Sequence, residues 1–394
     1  MSNNWQKSYD ELKEFILSHP NIEISKTCVV LPEDVRSDFY RLFDSVHTNL
    51  AKDYFTPELE EGIVLGKKWN DATQEATDKL NLAGIEISGG LDWFLRNPID
   101  GVIRGLYGPL FDLLKGTTQL DTFEKVARES LSRDFATFMR AGYRDWVMVA
   151  VINKILPDEL YSVTAPPFDG EIFPGYHEDS VPGAQASQKI SLEQNLICSF
   201  FTPGIILHSN KFKRFVTIVP CHFEAYWKAR STSQKQEWMR LKEIEKEFGR
   251  NKLWPDVLIY TAEEKEDLVL VADSHYIARP DIIIDFKENA DWYEKEGLDD
   301  VKRHYDALKP KIGSFVVCRK PVPEAATTAL LDLLTIHTQQ ENKTLSVDAT
   351  ESNMLTPNEP AGEPLPEAKP EYKIQLLHVG DEVENLNPII DALV

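Results

Sequence analysis

The amino-acid sequence predicts an α+β protein, with an all-helical N-terminal domain followed by an α/β domain. From Trp5 to about Leu156, apolar residues return every three or four positions, as they do in amphipathic helices. Beyond a segment rich in proline and glycine, short runs of β-branched residues follow, which favours strands. With 394 residues and 42% hydrophobic composition, the chain is long enough to form two packed domains.

The predicted helical domain covers residues 1–165. Its longest predicted helix runs from Thr122 to Ile155, with Asp121 or Thr122 as the N-cap and Gly142 as a point where the helix is expected to kink or split. Residues 166–193 contain many prolines and glycines, which indicates a loop or linker between the domains.

The predicted α/β domain covers residues 194–340. Its central elements follow one another in the order α-β-β-β-α-β, with a helix over 233–248, strands over 257–260, 268–271 and 282–287, a helix over 299–308 and a strand over 314–318. A further helix is expected over 324–340. Residues 341–371 then predict a flexible acidic linker, and residues 372–394 a strand and helix that dock back or bind a partner.

The strand predicted over residues 282–287 has two chemically different faces. Because side chains alternate along a strand, Ile282, Ile284 and Phe286 point one way, whereas Ile283, Asp285 and Lys287 point the other. An aspartate can bind a divalent metal, and a lysine beside it can orient water. The Asp285-Phe286-Lys287 triplet therefore indicates hydrolysis of phosphodiester bonds.

The triplet and the α-β-β-β-α-β order together resemble the PD-(D/E)xK nuclease superfamily, over about residues 231–318. The resemblance implies that an acid on the second strand and the acid of the third-strand motif bind Mg²⁺, with Mn²⁺ as a substitute. It also implies that the motif lysine helps to orient or activate the attacking water. Asp285 and Lys287 occupy these motif positions.

Two residues are candidates for the second-strand acid. If the strand predicted over 268–271 pairs antiparallel with the third strand, Asp267 comes opposite Asp285 and is the better metal ligand. Asp256, which follows Trp254-Pro255 on the preceding strand, is the rival.

The resemblance further implies an acid on the first helix that faces the site. A helical wheel places Glu245 and Glu237 on or beside the buried stripe of that helix, and Glu245 is the first choice. Removal of either metal-binding carboxylate is expected to abolish turnover. Replacement of Lys287 by alanine is expected to spare metal binding while lowering the rate.

The net charge of −21 opposes binding to the phosphates of nucleic acid. The acidic residues are unevenly spread, however. Residues 341–394 carry eleven acids against three lysines, a net charge of −8, whereas residues 231–320 carry nineteen acids against sixteen bases, a net charge of −3. The second segment therefore leaves room for a local basic groove.

A stretch of basic and aromatic residues follows the proline-rich segment. Lys211, Lys213 and Arg214 lie beside Phe212 and Phe215, in a pattern that suits contacts with phosphates and bases. The alternative interpretation is a charged strand at the edge of a sheet, with its aromatic residues in the core. Lys228 and Arg230 extend the same basic pattern.

Two functions from different classes remain open. The first is a metal-dependent nuclease, with DNA as the expected substrate and a defence or mobile-element setting. The second is a non-enzymatic interaction protein with a degenerate nuclease-like core, whose helical domain or C-terminal tail binds partner proteins, or which binds nucleic acid. The sequence contains no run of about 18 apolar residues and no export signal, so no membrane partner and a cytoplasmic location are expected.

Overall fold

A computed structural model describes residues 4–164, 183–192, 205–220, 229–231, 235–249, 253–272, 275–294, 297–332 and 373–394. The chain divides into two compact units, Met1–Asn153 and Lys154–Val394. The first is helical and the second is built around a mixed sheet. The broad α+β prediction is therefore confirmed.

The helical unit is dominated by two long helices. Its helices are α1 (Asn4–Ser18), α2 (Glu33–Leu80), α3 (Gly89–Arg96), α4 (Pro98–Ile103), α5 (Tyr107–Leu114) and α6 (Leu120–Ile155), of which α6 continues two residues into the second unit. Three short strands, β1 (Glu23–Ile24), β2 (Val29–Val30) and β3 (Gly84–Glu86), lie between helices. The core is rich in large aromatic residues, including Trp5, Phe39, Phe43, Phe94, Phe123 and Trp146.

The two long helices differ in how regular they are. Helix α2 bends at Phe55, whose φ of −131° and ψ of 28° are not helical, two residues before Pro57. A proline within a helix removes a backbone hydrogen bond and clashes with the preceding turn, which accounts for the bend. Helix α6 matches the predicted helix within two residues at its start, and Gly142 does not interrupt it.

The second unit contains a sheet with eight strands in the described residues. In chain order its strands are β4 (Glu159–Thr164), β5 (Gly183–Ala186), β7 (Ile205–Ser209), β8 (Arg214–Pro220), β11 (Val257–Ala262), β14 (Ile282–Lys287), β15 (Gly313–Cys318) and β16 (Ile374–His378). Their order across the sheet is β16-β15-β14-β11-β8-β7-β4-β5. Neighbours from β5 to β14 are antiparallel, and β14, β15 and β16 run parallel to one another.

The remaining elements lie outside this sheet. They are β6 (Lys189–Ser191), β9 (Ala229–Ser231), β10 (Trp238–Arg240), β12 (Leu270–Ala272), β13 (Tyr276–Ala278), α7 (Leu241–Phe248), α8 (Gly297–Leu308), α9 (described over 324–332) and α10 (Asn387–Asp391). Strand β9 pairs with β12, and β10 pairs with β13, both antiparallel.

Two details of the predicted α-β-β-β-α-β order are corrected by this pairing. The helix predicted from residue 233 begins only at Leu241, because Trp238–Arg240 is extended and pairs with β13. The strand predicted over 268–271 corresponds to β12, which pairs with β9 and not with β14. The antiparallel meander next to β14 is instead formed by β8 and β11.

The predicted domain boundary at residue 165 also lies later than the observed division. Strand β4 ends at Thr164 but belongs to the sheet of the second unit, where it pairs with β5 and β7. Of the predicted loop over 166–193, residues 183–192 are described and include β5 and β6. The rest of that loop and the linker predicted over 341–371 lie outside the described residues.

Helices α7 and α8 pack on one face of the sheet. Leu241 and Ile244 of α7 join Ala307 and Leu308 of α8 in one buried cluster. Ile283 of β14 belongs to the same cluster, so the face of β14 that carries Ile283 and Asp285 is the face beneath these helices. Among the described residues, no helix combines the length and the apolar composition that crossing a membrane requires.

Candidate functional site

The sheet register brings Asp256 next to the end of β14 that carries Asp285. Strands β11 and β14 are antiparallel, with Val257 opposite Ile284 and Leu258 opposite Ile283, so Asp256, which directly precedes β11, lies beside the end of β14 that carries Asp285. Asp256 Oδ2 also accepts a hydrogen bond of 2.8 Å from the Phe286 backbone N–H, which ties it to β14.

Helix α8 supplies a hydrogen-bond partner for the buried Asp285 carboxylate. Its side chain is 1% exposed, and its Oδ1 lies 2.9 Å from His304 Nδ1. The backbone N–H of Trp254 donates to His304 Nε2 at 3.1 Å. Because Nε2 accepts this bond, the proton of the neutral imidazole is on Nδ1, and His304 donates it to Asp285. A continuous hydrogen-bond chain therefore runs from Trp254 through His304 to Asp285.

Lys287 ends β14 two residues beyond Asp285, on the same face of the strand. It is half-buried, and its Nζ lies 5.6 Å from the centre of the Trp292 ring. Its neighbour in the parallel strand β15 is Cys318. Burial raises the pKa of the Cys318 thiol to about 11, against a smaller lowering by the Lys287 charge. Lys287 thus has an aromatic ring and a protonated thiol among its neighbours.

Asp267 is not brought to this site. It lies in a short 3₁₀ helix, Lys265–Leu268, where its Oδ2 is 3.0 Å from Lys235 Nζ. The expected pairing of this segment with β14 is wrong, because β14 lies between β11 and β15. Asp267 follows the C-terminal end of β11, whereas Asp256 precedes its N-terminal end, and six strand residues span about 20 Å. Of the two candidate second-strand acids, Asp256 is the one that contacts β14, through its hydrogen bond from the Phe286 N–H.

Glu245 lies on α7 and is half-buried. Its backbone carbonyl accepts a hydrogen bond from the Gly249 N–H, which closes the helix. The buried residues of α7 are Leu241 and Ile244, so Glu245 lies beside the buried stripe, as predicted. Its proposed catalytic role stays a prediction.

The donors at this site suit a hard divalent cation in type, although they are few. Carboxylate oxygens are the ligands that Mg²⁺ prefers, and Mg²⁺ commonly takes one or two protein carboxylates together with water and substrate phosphates. Within the described ranges, no group of three or more His, Cys, Asp or Glu side chains is arranged to hold a metal. Asp256 and Asp285 would therefore supply two ligands, and water or phosphate the rest.

The basic residues of the sequence fall at two places on the sheet. Lys211 and Lys213 lie in the turn between β7 and β8, and β8 is a central strand, so the alternative of an edge strand is wrong. In the pairing of β8 with β11, this turn lies at the end of the sheet away from Asp256. Arg319 lies at the near end, where its N–H donates to the Lys287 carbonyl at 2.9 Å. The side chains of Lys228 and Arg230 lie outside the described residues.

Comparisons with models of protein families, with curated proteins and with solved structures found no match to this chain.

Sequence reasoning did not single out His304 as a site residue. The signal was present, because His304 lies one helical turn from Val301 and Leu308, which pack the helix on the sheet. A histidine on that buried stripe needs hydrogen-bond partners. Which partners it finds depends on the positions of β11 and β14, which no local pattern in the sequence reveals.

Proposed function

We propose that the second unit is a metal-dependent nuclease that hydrolyses phosphodiester bonds, with DNA as its substrate. The observation that supports this proposal most directly is the register of β11 and β14. It brings Asp256, which directly precedes β11, to the end of β14 that carries Asp285, and Lys287 follows Asp285 two residues later on the same face of β14. An acid on one strand and an Asp-x-Lys triplet on its antiparallel neighbour are the chemical groups that the nuclease hypothesis requires.

Each side chain has a distinct role in this proposal. Asp256 and Asp285 would hold Mg²⁺, or Mn²⁺ in its place, through their carboxylate oxygens. A bound divalent ion would polarise the phosphoryl group and lower the pKa of a water molecule. The Lys287 ammonium would attract the phosphate and stabilise the charge that develops on its oxygens during hydrolysis. Burial next to the Trp292 ring strengthens that attraction by excluding water.

Local charge at the site is compatible with a phosphate ligand despite the net charge of the chain. Lys287 ends β14, and Arg319 and Lys320 directly follow β15, the parallel neighbour of β14. Ends of parallel neighbours lie at one edge of a sheet, so the backbone positions of these three basic residues share that edge. Counterion release by such cations favours nucleic-acid binding at low salt.

A second candidate, a non-enzymatic interaction protein, is favoured by the burial of Asp285. A carboxylate that is 1% exposed and hydrogen-bonded to His304 is also what a degenerate core would retain for stability. The helical unit offers a separate open groove of about 960 Å³ where α2 bends, in which charges of both signs surround Tyr54 and Phe55. A partner protein is the expected ligand of that groove in this second reading.

A nuclease assay with matched variants separates the two functions. We would incubate the full-length protein with single-stranded and double-stranded DNA and with RNA, in Mg²⁺, Mn²⁺ or EDTA. Asp256→Asn and Asp285→Asn each keep the shape of the side chain while removing its charge, and each is expected to reduce cleavage at least about 100-fold. The control is Asp267→Asn, because Asp267 is an acid of the same unit that lies away from the site, and its activity should stay close to wild type.

Lys287→Ala provides the second half of the test. It is expected to lower the cleavage rate while leaving the Mn²⁺ affinity, measured by calorimetry, within about twofold of wild type, because the lysine would act on the phosphate and not on the ion. Cleavage that persists in EDTA, or that Asp285→Asn leaves unchanged, would contradict the nuclease proposal. Inactivity of the wild type on every substrate and with both metals would favour the interaction protein.

A further inference from the structure

We infer that His304 is a positioning residue, which orients the Asp285 carboxylate for metal binding by donating a hydrogen bond from Nδ1 to Oδ1. This inference rests on the proposed function, since it takes Asp285 to be a metal ligand. It adds a residue from α8 to a site whose other members lie on β14 and directly before β11. His304 itself is 4% exposed and contacts neither substrate nor metal in this assignment.

The geometry leaves His304 a single productive arrangement. The Trp254 N–H, 3.1 Å away, belongs to the backbone and cannot turn, so Nε2 must accept. The ring therefore carries its proton on Nδ1, which lies 2.9 Å from Asp285 Oδ1. The same ring could not donate to Asp285 in its other neutral tautomer. The Trp254 N–H, just before β11, therefore selects the tautomer of His304 that donates a hydrogen bond to Asp285 of β14.

The hydrogen bond from His304 to Asp285 has two consequences for metal binding. It fixes the rotation of the carboxylate about its Cβ–Cγ bond, so that Oδ1 is committed to α8 and the ligand role falls to Oδ2. It also links the two strands that carry the metal-binding acids, because Trp254 lies two residues before Asp256. Hydrogen-bond partners of metal-binding side chains typically change metal affinity 10-fold to 100-fold when they are replaced.

Three substitutions separate orientation from simple packing. In His304→Asn, an amide N–H takes the place of Nδ1–H, at the same number of bonds from Cβ, and retains the donor to Asp285. In His304→Gln, the amide reaches the position of Nε2 instead and loses that donor. His304→Leu removes both polar groups and retains most of the buried volume. Thermal unfolding followed by circular dichroism would establish that each variant is folded.

The readout is the dissociation constant for Mn²⁺ alone, measured by electron paramagnetic resonance on the full-length protein. Wild type and His304→Asn should bind Mn²⁺ with similar affinity, whereas His304→Gln and His304→Leu should bind 10-fold to 100-fold more weakly. If the leucine variant does not fold, the contrast between asparagine and glutamine decides. Equal affinity of wild type, His304→Asn and His304→Gln would overturn the inference.

Cleavage assays on the same proteins distinguish failure of the inference from failure of the proposed function. Metal-dependent cleavage by wild type with no effect of His304→Gln on Mn²⁺ affinity would overturn the positioning role and leave the nuclease proposal intact. The expected order of Mn²⁺ affinities without cleavage of any nucleic acid would support the positioning role and overturn the nuclease proposal. A wild type that binds no Mn²⁺ would overturn both.

Discussion

Replacement of His47 in the helical unit should change how the stability of this protein depends on pH. His47 lies on α2 and is fully buried. Its ring stacks on Tyr107, with centroids 5.2 Å apart and planes at 15°, and meets Phe43 edge to face at 4.9 Å. Burial lowers its pKa from 6.5 to about 4, and a backbone group of Leu106 offsets only part of this. The imidazole is therefore neutral in the folded protein at neutral pH.

The direction of the effect follows from proton uptake. Between pH 6.5 and about 4, the unfolded chain binds a proton at His47 that the folded chain does not bind. The stability from His47 is fully present above pH 6.5, falls as the pH decreases to about 4, and is lost below that value. At about 1.4 kcal/mol per pH unit, this window corresponds to about 3 kcal/mol of unfolding free energy.

His47→Phe is the matched comparison, because phenylalanine retains an aromatic ring beside Tyr107 and has no group that titrates. We would measure urea unfolding of both proteins by circular dichroism at 222 nm, which reports mainly on the helical unit, at several pH values from 7.5 to 4. The unfolding free energy of wild type minus that of the variant should decrease by about 3 kcal/mol across this range. A difference that stays constant within about 0.5 kcal/mol would refute the reasoning.

Two further predictions concern packing in each unit. A Cβ added at Gly66 would lie 2.1 Å from the Leu95 carbonyl oxygen, so Gly66→Ala should lower the free energy of unfolding in urea by about 1–3 kcal/mol. The control is Gly89→Ala, which should leave that free energy unchanged, because no atom lies within 4 Å of a Cβ added at Gly89. A destabilisation equal in the two variants would contradict this account. The Cys28 thiol is exposed, whereas the Cys318 thiol is buried and its pKa is raised to about 11. Iodoacetamide at pH 8 should therefore alkylate Cys28 at least about tenfold faster than Cys318, as measured by peptide mass spectrometry. Similar rates at the two thiols would show that the end of β15 opens readily.

Helices were the elements most open to prediction from sequence, and α6 shows why. Its apolar residues repeat every three or four positions over ten turns, and such a repeat is a property of the segment itself. The helix predicted from residue 233 failed at its start for a different reason. Trp238–Arg240 lies next to β13 in the fold and pairs with it, and a contact between distant segments overrides local helix propensity.

The candidate site was likewise predictable only where the pattern is local. Asp285 and Lys287 were predicted to share one face of a strand, and β14 has that alternation, because the period of a strand is local. The choice of Asp267 over Asp256 depended on an assumed partner for β14. That assumption was wrong, because residues 263–281 include β12 and β13, which pair elsewhere, while β14 pairs with the earlier strand β11.

The sequence by itself determined the two-part organisation, the long helix α6, and the alternation that puts an acid and a lysine on one face of β14. Those features arise from neighbours within a few residues along the chain. Only the tertiary structure decided that Asp256 accepts a hydrogen bond from Phe286, next to Asp285, and that His304 of α8 donates a hydrogen bond to the Asp285 carboxylate. Strand partners and helix docking bring together residues far apart in the chain, and their choice depends on how the whole sheet buries its apolar faces.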